Sequence, residues 1–220
     1  MNHKNIKFIV FIVSILSFYA ISRSLELLRP ISWIDSGAYA RTELINAHHA
    51  IKKALFSPDD NIKRILIGLI AEEQESIKMA AFSLTDIDIA HELAAAYARG
   101  IMIEIVVDGK QADTDYSKVF SLAKCHIPIF VYPKDAEKRW DEDGRQWYSL
   151  MHNKFIIFGK SLTGKKLLWT GSFNFTRSAS FYNQENVIVE DDQDLADRFE
   201  AHFELLKTRC KKHTRYGCQA

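Results

Sequence analysis

Hydrophobic residues along most of this chain fall into two alternating patterns. In some stretches they form short, nearly continuous runs, as in strands covered on both faces; Ile101 to Val107 is one such run, and Asp108-Gly109 ends it. In other stretches they recur every three or four residues, as on one face of a helix. The runs predict strands at residues 54–56, 77–83, 101–107, 128–132 and 186–190, and the helical spacing predicts helices at residues 62–70, 85–100, 116–124 and 195–207.

Strands alternate with helices along the chain, which predicts an α/β fold with a mixed β-sheet flanked by helices. Thr85, followed three residues later by Asp88, resembles a capping box and predicts the start of the second helix, which Gly100 ends. A long polar loop follows Tyr132 and extends to Ser149. The sequence shows no internal repeat and no low-complexity tract.

These elements place one folded domain at residues 52–207. Residues 23–51 show no repeating pattern, which indicates a connector that is partly helical around residues 41–51. Residues 208–220 form a basic tail, for which we expect a charged, frayed end, although its cations could also contact nucleic acid or anionic lipid. A chain of 220 residues that is 47% hydrophobic is long enough for one well-packed domain and too short for two catalytic ones.

The first 22 residues carry Lys4 and Lys7, followed by an apolar run from Phe8 to Ile21. This run is short for a membrane span and suits the hydrophobic region of a signal peptide. A buried core helix is the alternative, and the basic start and terminal position argue against it. We therefore expect residues 1–22 to be a signal peptide or a membrane anchor. The protein would then be exported, and either anchored in the inner membrane or released as a periplasmic or secreted protein.

The formal net charge of +1 lacks the strongly basic character that would by itself indicate a nucleic-acid partner, so any such binding must be local. One local candidate is the loop before residue 152, where Trp140, Trp147 and Tyr148 interleave with lysine and arginine. This mixture could stack on bases, lie at a lipid interface, or be a solvated loop. Cys210 and Cys218 could pair in an oxidising compartment or remain free thiols.

Residue types suited to phosphate chemistry cluster in two segments, His152-Asn153-Lys154 and Gly171-Ser172-Phe173-Asn174. An imidazole can attack phosphorus, and lysine, serine and asparagine can hold phosphate oxygens. In an extended strand His152 and Lys154 point to the same face and Asn153 points away. The apolar run between the two segments predicts a buried strand after Lys154. We therefore expect His152 and Lys154 to share one site.

The two segments together resemble the motif of the phospholipase D superfamily, which is His-x-Lys, four residues, Asp, and a downstream Gly-Ser and Asn. His152, Lys154, Gly171, Ser172 and Asn174 match it, and Gly159 stands where the family has Asp. The stretch from residue 170 to residue 176, continued at residues 183–187, is most similar to the branch with one motif copy. That branch contains Nuc-type bacterial endonucleases and mitochondrial cardiolipin hydrolase. In the family the motif Asp is mainly a structural hydrogen-bonding residue.

The resemblance implies an α/β sandwich and a reaction through a phosphohistidine that needs two histidines. Because the chain has one motif copy, it implies a homodimer whose two His152 residues share one active site. Lys154, Ser172 and Asn174 would bind the phosphate, and Glu185 would hydrogen-bond the catalytic histidine; a solvent-facing position is the alternative for Glu185. No metal and no other cofactor is expected.

Three functions fit these residues. The first is a metal-independent endonuclease acting on DNA or RNA, which is favoured because the sequence of the second segment resembles Nuc-type endonucleases. The second is a phospholipase D acting on phosphatidylcholine or cardiolipin, which the membrane-directed N-terminus favours. The third is an inactive phosphate-binding or scaffold protein, suggested by Gly159 alone. The intact His152, Lys154, Ser172 and Asn174 argue against the third.

Overall fold

The computed structural model describes residues 35–45, 50–136 and 139–212. The helices in this part of the chain are α1 (Ser36–Leu44), α2 (Ile62–Glu72), α3 (Ile87–Ala98), α4 (Gly109–Ala112), α5 (Val119–Lys124), α6 (Arg177–Phe181) and α7 (Gln193–Thr208). The strands are β1 (Lys52–Ser57), β2 (Ser76–Ala81), β3 (Met102–Asp108), β4 (Ile129–Tyr132), β5 (Arg139–Trp140), β6 (Gln146–Trp147), β7 (Lys154–Phe158), β8 (Leu167–Gly171), β9 (Glu185–Glu190) and β10 (Lys211–Lys212).

One open mixed sheet has the strand order β1-β9-β8-β7-β2-β3-β4-β10. Strands β2, β3 and β4 are parallel to one another. On the other side of β2, the strands β7, β8, β9 and β1 follow in antiparallel succession. Strands β5 and β6 form a separate hairpin. The predicted α/β fold with a mixed sheet flanked by helices is confirmed.

The central strands are largely apolar because helices cover both faces of the sheet. On one face, buried side chains such as Ile105 and Ile156 pack with those of α2, α3 and α5. On the other face, Phe155 and Leu168 pack with the apolar side of α7. The polar side of α7 is held by ion pairs that include Lys78 of β2, whose Nζ lies 2.7 Å from Glu200 and 2.8 Å from Glu204.

The start of α3 differs from the prediction. Asp86 caps the helix, since its side chain accepts hydrogen bonds from the backbone N–H groups of Asp88 and Ile89 at 2.9 and 3.3 Å. The backbone N–H of Thr85 instead donates to the carbonyl of Phe175 at 3.0 Å. The prediction of Thr85 as the capping residue is therefore wrong, because the helix starts one residue later and Asp86 occupies the cap position.

Three segments contain helices or strands at positions that the sequence pattern did not predict. Helix α1 begins five residues before the helical stretch expected at 41–51, and its buried residues Ala40 and Leu44 join the core beside α2. The polar loop after Tyr132 contains the β5–β6 hairpin. The basic tail starts as the edge strand β10, in which Lys211 and Lys212 pair with β4.

The predicted signal peptide or anchor, residues 1–22, lies outside the described residues, as do residues 213–220 of the basic tail. None of the helices in the described ranges is both long and apolar enough to cross a membrane.

Candidate active site

The sheet brings the predicted site residues to one of its edges. Lys154 begins β7, Gly171 ends β8 and Glu185 begins β9, and these strands are antiparallel to their neighbours, so the three ends coincide. Strand β2 is antiparallel to β7, so its last residues reach the same edge. Strand β3 runs parallel to β2 and places Asp108 there as well.

His152 and Lys154 contact each other at this edge, as the alternation of a strand predicts. Nζ of Lys154 lies 3.2 Å from Nδ1 of His152 and donates to the His152 carbonyl at 2.7 Å. The Phe82 ring lies beside both, 4.4 Å from the His152 ring and 4.9 Å from Lys154 Nζ, measured to the ring centroid. Asn153 points away, toward a groove lined by α7. Lys154 is buried and His152 is exposed, so a ligand can reach the imidazole.

Burial and the neighbouring charges set the pKa values of this pair. Desolvation by the surrounding protein lowers the pKa of the exposed His152 below its usual value, the positive charge of Lys154 lowers it further, and the carboxylate of Asp108 opposes both effects. Burial also lowers the pKa of Lys154, against the attraction of the Glu185 carboxylate. The imidazole is therefore biased toward its neutral form, which is the nucleophilic one.

Ser172 and Glu185 form a direct hydrogen bond across the β8–β9 pair. The Ser172 hydroxyl donates to Oε2 of Glu185 at 2.6 Å and accepts from the backbone N–H of Asn186 at 3.0 Å. The other Glu185 oxygen accepts from the Asn183 side chain at 3.0 Å. A hydroxyl has one proton, so Ser172 cannot donate to a phosphate while it donates to Glu185. Within the described residues Glu185 thus bonds Ser172 and Asn183 rather than His152.

Asn174 lies in the loop after β8, which the neighbouring loop holds in place. Phe175 donates to the carbonyl of Ser83 at 3.2 Å, and its own carbonyl accepts from the N–H groups of Thr85 and Asp86 at 3.0 Å each. Oδ1 of Asn174 is buried and has no hydrogen-bond partner in the described part of the chain. The structure therefore places Asn174 in a fixed loop at the same edge. Oδ1 is an acceptor, so it is the Nδ2 group of this amide that can donate to a phosphate oxygen.

Asp108 is a site residue that the sequence analysis did not single out. It is 1% exposed, its Oδ1 caps α4, and its Oδ2 accepts the backbone N–H of Met151 at 3.1 Å. This bond fixes the residue immediately before His152. The sequence signal was an Asp-Gly pair at the end of a buried strand, which is also the ordinary pattern of a turn.

The β5–β6 hairpin directly precedes the site and exposes two tryptophans. Trp140 and Trp147 are 68% and 59% exposed. The carboxylate of Asp141 holds the hairpin closed, since it accepts from the indole N–H of Trp147 at 2.9 Å and from the backbone N–H of Arg145 at 2.7 Å. The two rings are thus presented on an ordered element rather than on an irregular loop.

An accessible imidazole, a buried ammonium and an asparagine amide at one sheet edge form a site suited to a phosphate group. In the ranges that the structure describes, no three His, Cys, Asp or Glu side chains lie close enough to hold a metal ion.

Residues 66–207 match the family model described as cardiolipin synthase, PLD-like domain. The chain is 33% identical over 144 residues to a phospholipase D of Rickettsia conorii, covering 66% of this chain and 63% of that protein. It is 26% identical over 148 residues to the mitochondrial cardiolipin hydrolase of Mus musculus, covering 67% of this chain and 58% of that protein.

Two solved structures are also similar. Nuc, a phospholipase D family member from Salmonella typhimurium, is 25% identical with a TM-score of 0.61, over 74% of this chain and 98% of Nuc. NucT from Helicobacter pylori is 21% identical with a TM-score of 0.64, over 74% of this chain and 99% of NucT. The chain belongs to the phospholipase D superfamily. The match spans less than two thirds of the length of the Rickettsia conorii relative.

Proposed function

We propose that this protein is a metal-independent phosphodiesterase in which His152 forms a phosphohistidine intermediate. The contact between His152 and Lys154 carries the proposal, because it places an accessible imidazole with a lowered pKa beside a buried ammonium. Membership of the phospholipase D superfamily supports the reaction class.

Cleavage proceeds by two successive displacements at phosphorus. In the first, Nε2 of His152 attacks, a P–N bond forms, and the bond to the leaving oxygen breaks as a second histidine protonates that oxygen. In the second, the same histidine removes a proton from water, whose oxygen attacks phosphorus and breaks the P–N bond. Lys154 and Asn174 stabilise the charge on the phosphoryl oxygens in both steps.

The chain supplies one histidine of this kind, so the second comes from His152 of the partner subunit in a homodimer with one shared site. Two lysines, one from each subunit, then neutralise the phosphate. This charge is what a metal ion would otherwise supply, which is why the proposed reaction needs none.

The observed contact also indicates how substrate starts the reaction. An imidazole that accepts at Nδ1 from Lys154 carries its proton on Nε2, and that nitrogen then has no lone pair for attack. A bound phosphate draws the Lys154 ammonium to its own oxygens, which frees Nδ1 to take the proton. The histidine that protonates the leaving group is instead the imidazolium, with protons on both nitrogens, so that loss of one proton leaves a neutral imidazole.

The first proposed substrate class is a nucleic-acid strand. The segment around Gly171 and Asn174 resembles Nuc-type endonucleases, and the chain covers 98% of Nuc. Exposed Trp140 and Trp147 beside the site offer surfaces on which bases can stack.

The second candidate is a phospholipid, which two observations favour. Relatives of 30 to 33% identity are named phospholipase D. Exposed tryptophans also suit the interface of a bilayer, and Leu150, next to the hairpin, is 44% exposed.

The test is hydrolysis of bis(p-nitrophenyl) phosphate in excess EDTA by the wild-type protein and by His152→Asn. His126→Asn is the matched control, because His126 precedes β4 at the opposite edge of the sheet and has a φ of 66°, which asparagine tolerates. We expect activity in the wild type and control and none in His152→Asn. Activity of His152→Asn within tenfold of wild type would contradict the proposal.

To distinguish the two substrate classes, hydrolysis by the same protein is measured on a labelled single-stranded oligonucleotide, on phosphatidylcholine vesicles and on vesicles that contain cardiolipin. Cleavage of the oligonucleotide alone supports the first candidate. Release of lipid headgroups without oligonucleotide cleavage supports the second.

A further inference from the structure

Gly159 follows β7 at the edge of the sheet opposite His152. Its N–H donates to the carbonyl of Ser76 at 2.8 Å. A Cβ atom at this position would collide with Oγ of Ser76 and would lie 3.2 Å from the Ser76 backbone nitrogen. A carboxylate at residue 159 would therefore point at the backbone where β2 begins.

A carboxylate from another element already occupies that place. Glu73, the C-terminal cap residue of α2, is 3% exposed. Its Oε1 accepts three backbone N–H groups, from Glu75 at 2.9 Å, Ser76 at 3.0 Å and Lys160 at 2.8 Å. One carboxylate oxygen thus joins the end of α2, the start of β2 and the residue after Gly159.

We propose that Glu73 supplies the carboxylate that the motif lacks at position 159. Glu73 accepts the N–H of Ser76, and after the Ser76 hydroxyl this nitrogen is the atom nearest to a Cβ at residue 159. Glu73 also accepts the N–H of Lys160, which is the residue after Gly159. In this proposal a carboxylate at the end of α2 serves the backbone groups that a carboxylate at the end of β7 would face.

Glu73 is in addition a positioning residue for the site. The β2–β7 ladder runs from the pair Ile77 and Phe158, next to Glu73, to the pair Ala81 and Lys154. At the far end the N–H of Phe82 donates to the carbonyl of Asn153 at 3.0 Å, and the Phe82 ring contacts both His152 and Lys154. A register slip of one residue in this ladder would turn Lys154 to the other face, so a clamp at one end preserves the site at the other.

The carboxylate replacement stands independently of the proposed function, whereas the positioning role rests on it. Moving the carboxylate back tests the replacement. We compare three variants: Glu73→Ala, the double variant Ser76→Ala/Gly159→Asp, and the triple variant Glu73→Ala/Ser76→Ala/Gly159→Asp. The substitution Ser76→Ala is included because it removes the hydroxyl that a side chain at residue 159 would meet. Glu75→Ala is the control, because Glu75 is an exposed carboxylate two residues away.

Thermal unfolding of the full chain gives the first readout. We expect Glu73→Ala to lower Tm by about 5 °C or more, since three backbone N–H groups lose a charged acceptor. The triple variant should recover at least half of this loss. The double variant with Glu73 retained should be less stable than wild type, because two carboxylates then face the same N–H groups. A loss no larger than that of Glu75→Ala, or no recovery in the triple variant, would overturn the replacement.

If Glu73→Ala does not fold, Glu73→Gln, which keeps one acceptor oxygen, takes its place in the same comparison with the same criteria. Hydrolysis of bis(p-nitrophenyl) phosphate well below the lowest Tm gives the second readout. Positioning predicts that Glu73→Ala lowers kcat with little change in KM and that the triple variant restores kcat. An unchanged kcat in Glu73→Ala would overturn the positioning role alone.

Discussion

Nζ of Lys154 lies 3.2 Å from Nδ1 of His152, with the Phe82 ring beside both groups. Together with burial, this ammonium lowers the pKa of His152, and Asp108 opposes the shift. The carboxylate and the ammonium thus adjust the same imidazole in opposite directions, which allows the two influences to be separated by mutation.

Replacing Lys154 by methionine removes the ammonium and keeps an apolar chain of similar length. We expect kcat/KM for bis(p-nitrophenyl) phosphate to fall about 10²- to 10³-fold, because a donor to the transition-state charge is lost. The pKa of His152 rises when the positive charge is removed, so both limbs of the pH–rate profile should move to higher pH. The exposed Lys160 provides the control variant Lys160→Met. An unchanged kcat with only a raised KM would contradict the role of Lys154 in the transition state.

Asp108→Asn should move the same profile in the opposite direction. Removing the carboxylate lowers the pKa of His152. The protonated histidine that acts as the acid is then lost at lower pH, so the basic limb of the pH–rate profile moves to lower pH. The Met151 N–H also loses its charged acceptor, so kcat should fall. Asp115, an exposed carboxylate after α4, gives the control Asp115→Asn. A basic limb that stays in place or moves up would show that Asp108 does not act on His152.

The hydrogen bond between Ser172 and Glu185 predicts that the two residues act as one unit. Ser172→Ala and Glu185→Gln should each lower kcat/KM, and the double variant should lose little more than the worse single variant. Glu185→Gln should also lower the pKa of Lys154 further, because the attraction of the carboxylate is lost. Additive losses in the double-mutant cycle would instead support separate roles, with Ser172 contacting the phosphate directly.

A shared site predicts how activity depends on subunit composition. When wild-type and His152→Asn subunits are mixed and allowed to exchange, only dimers with two wild-type subunits are active. In an equal mixture about one quarter of the dimers then have two wild-type subunits. The mixture should therefore retain about one quarter of the activity of pure wild-type protein at the same total protein concentration. Retention of one half, or full specific activity in a dilute monomer, would rule out a site that needs His152 from both subunits.

Much of the fold could be predicted from the sequence because its central strands are local patterns. Residues 101–107 and 128–132 are apolar runs that end in turn residues, and they became β3 and β4 almost unchanged. The ends of elements were harder to predict. Thr85 and Asp86 are both good capping residues, and the hydrophobic spacing did not distinguish between these two neighbouring positions; the structure has Asp86 as the cap.

The same distinction applies to the site. Strand alternation alone predicted that His152 and Lys154 share a face. The partner of Glu185 could not be predicted, because it depends on the β8–β9 register, which places Ser172 beside Asn186 and within reach of Glu185. Glu73 lies far from Gly159 in sequence, and only the pairing of β2 with β7 brings them together.

The most direct test of the central claim is to trap the covalent intermediate. Wild-type protein is mixed with a phosphodiester substrate in excess EDTA, quenched within the first turnover under alkaline conditions, and digested for mass spectrometry. We predict a phosphoryl adduct on the peptide that contains His152, and no adduct in His152→Asn. Turnover without an adduct on His152, or an adduct on another residue, would contradict the proposed phosphohistidine mechanism.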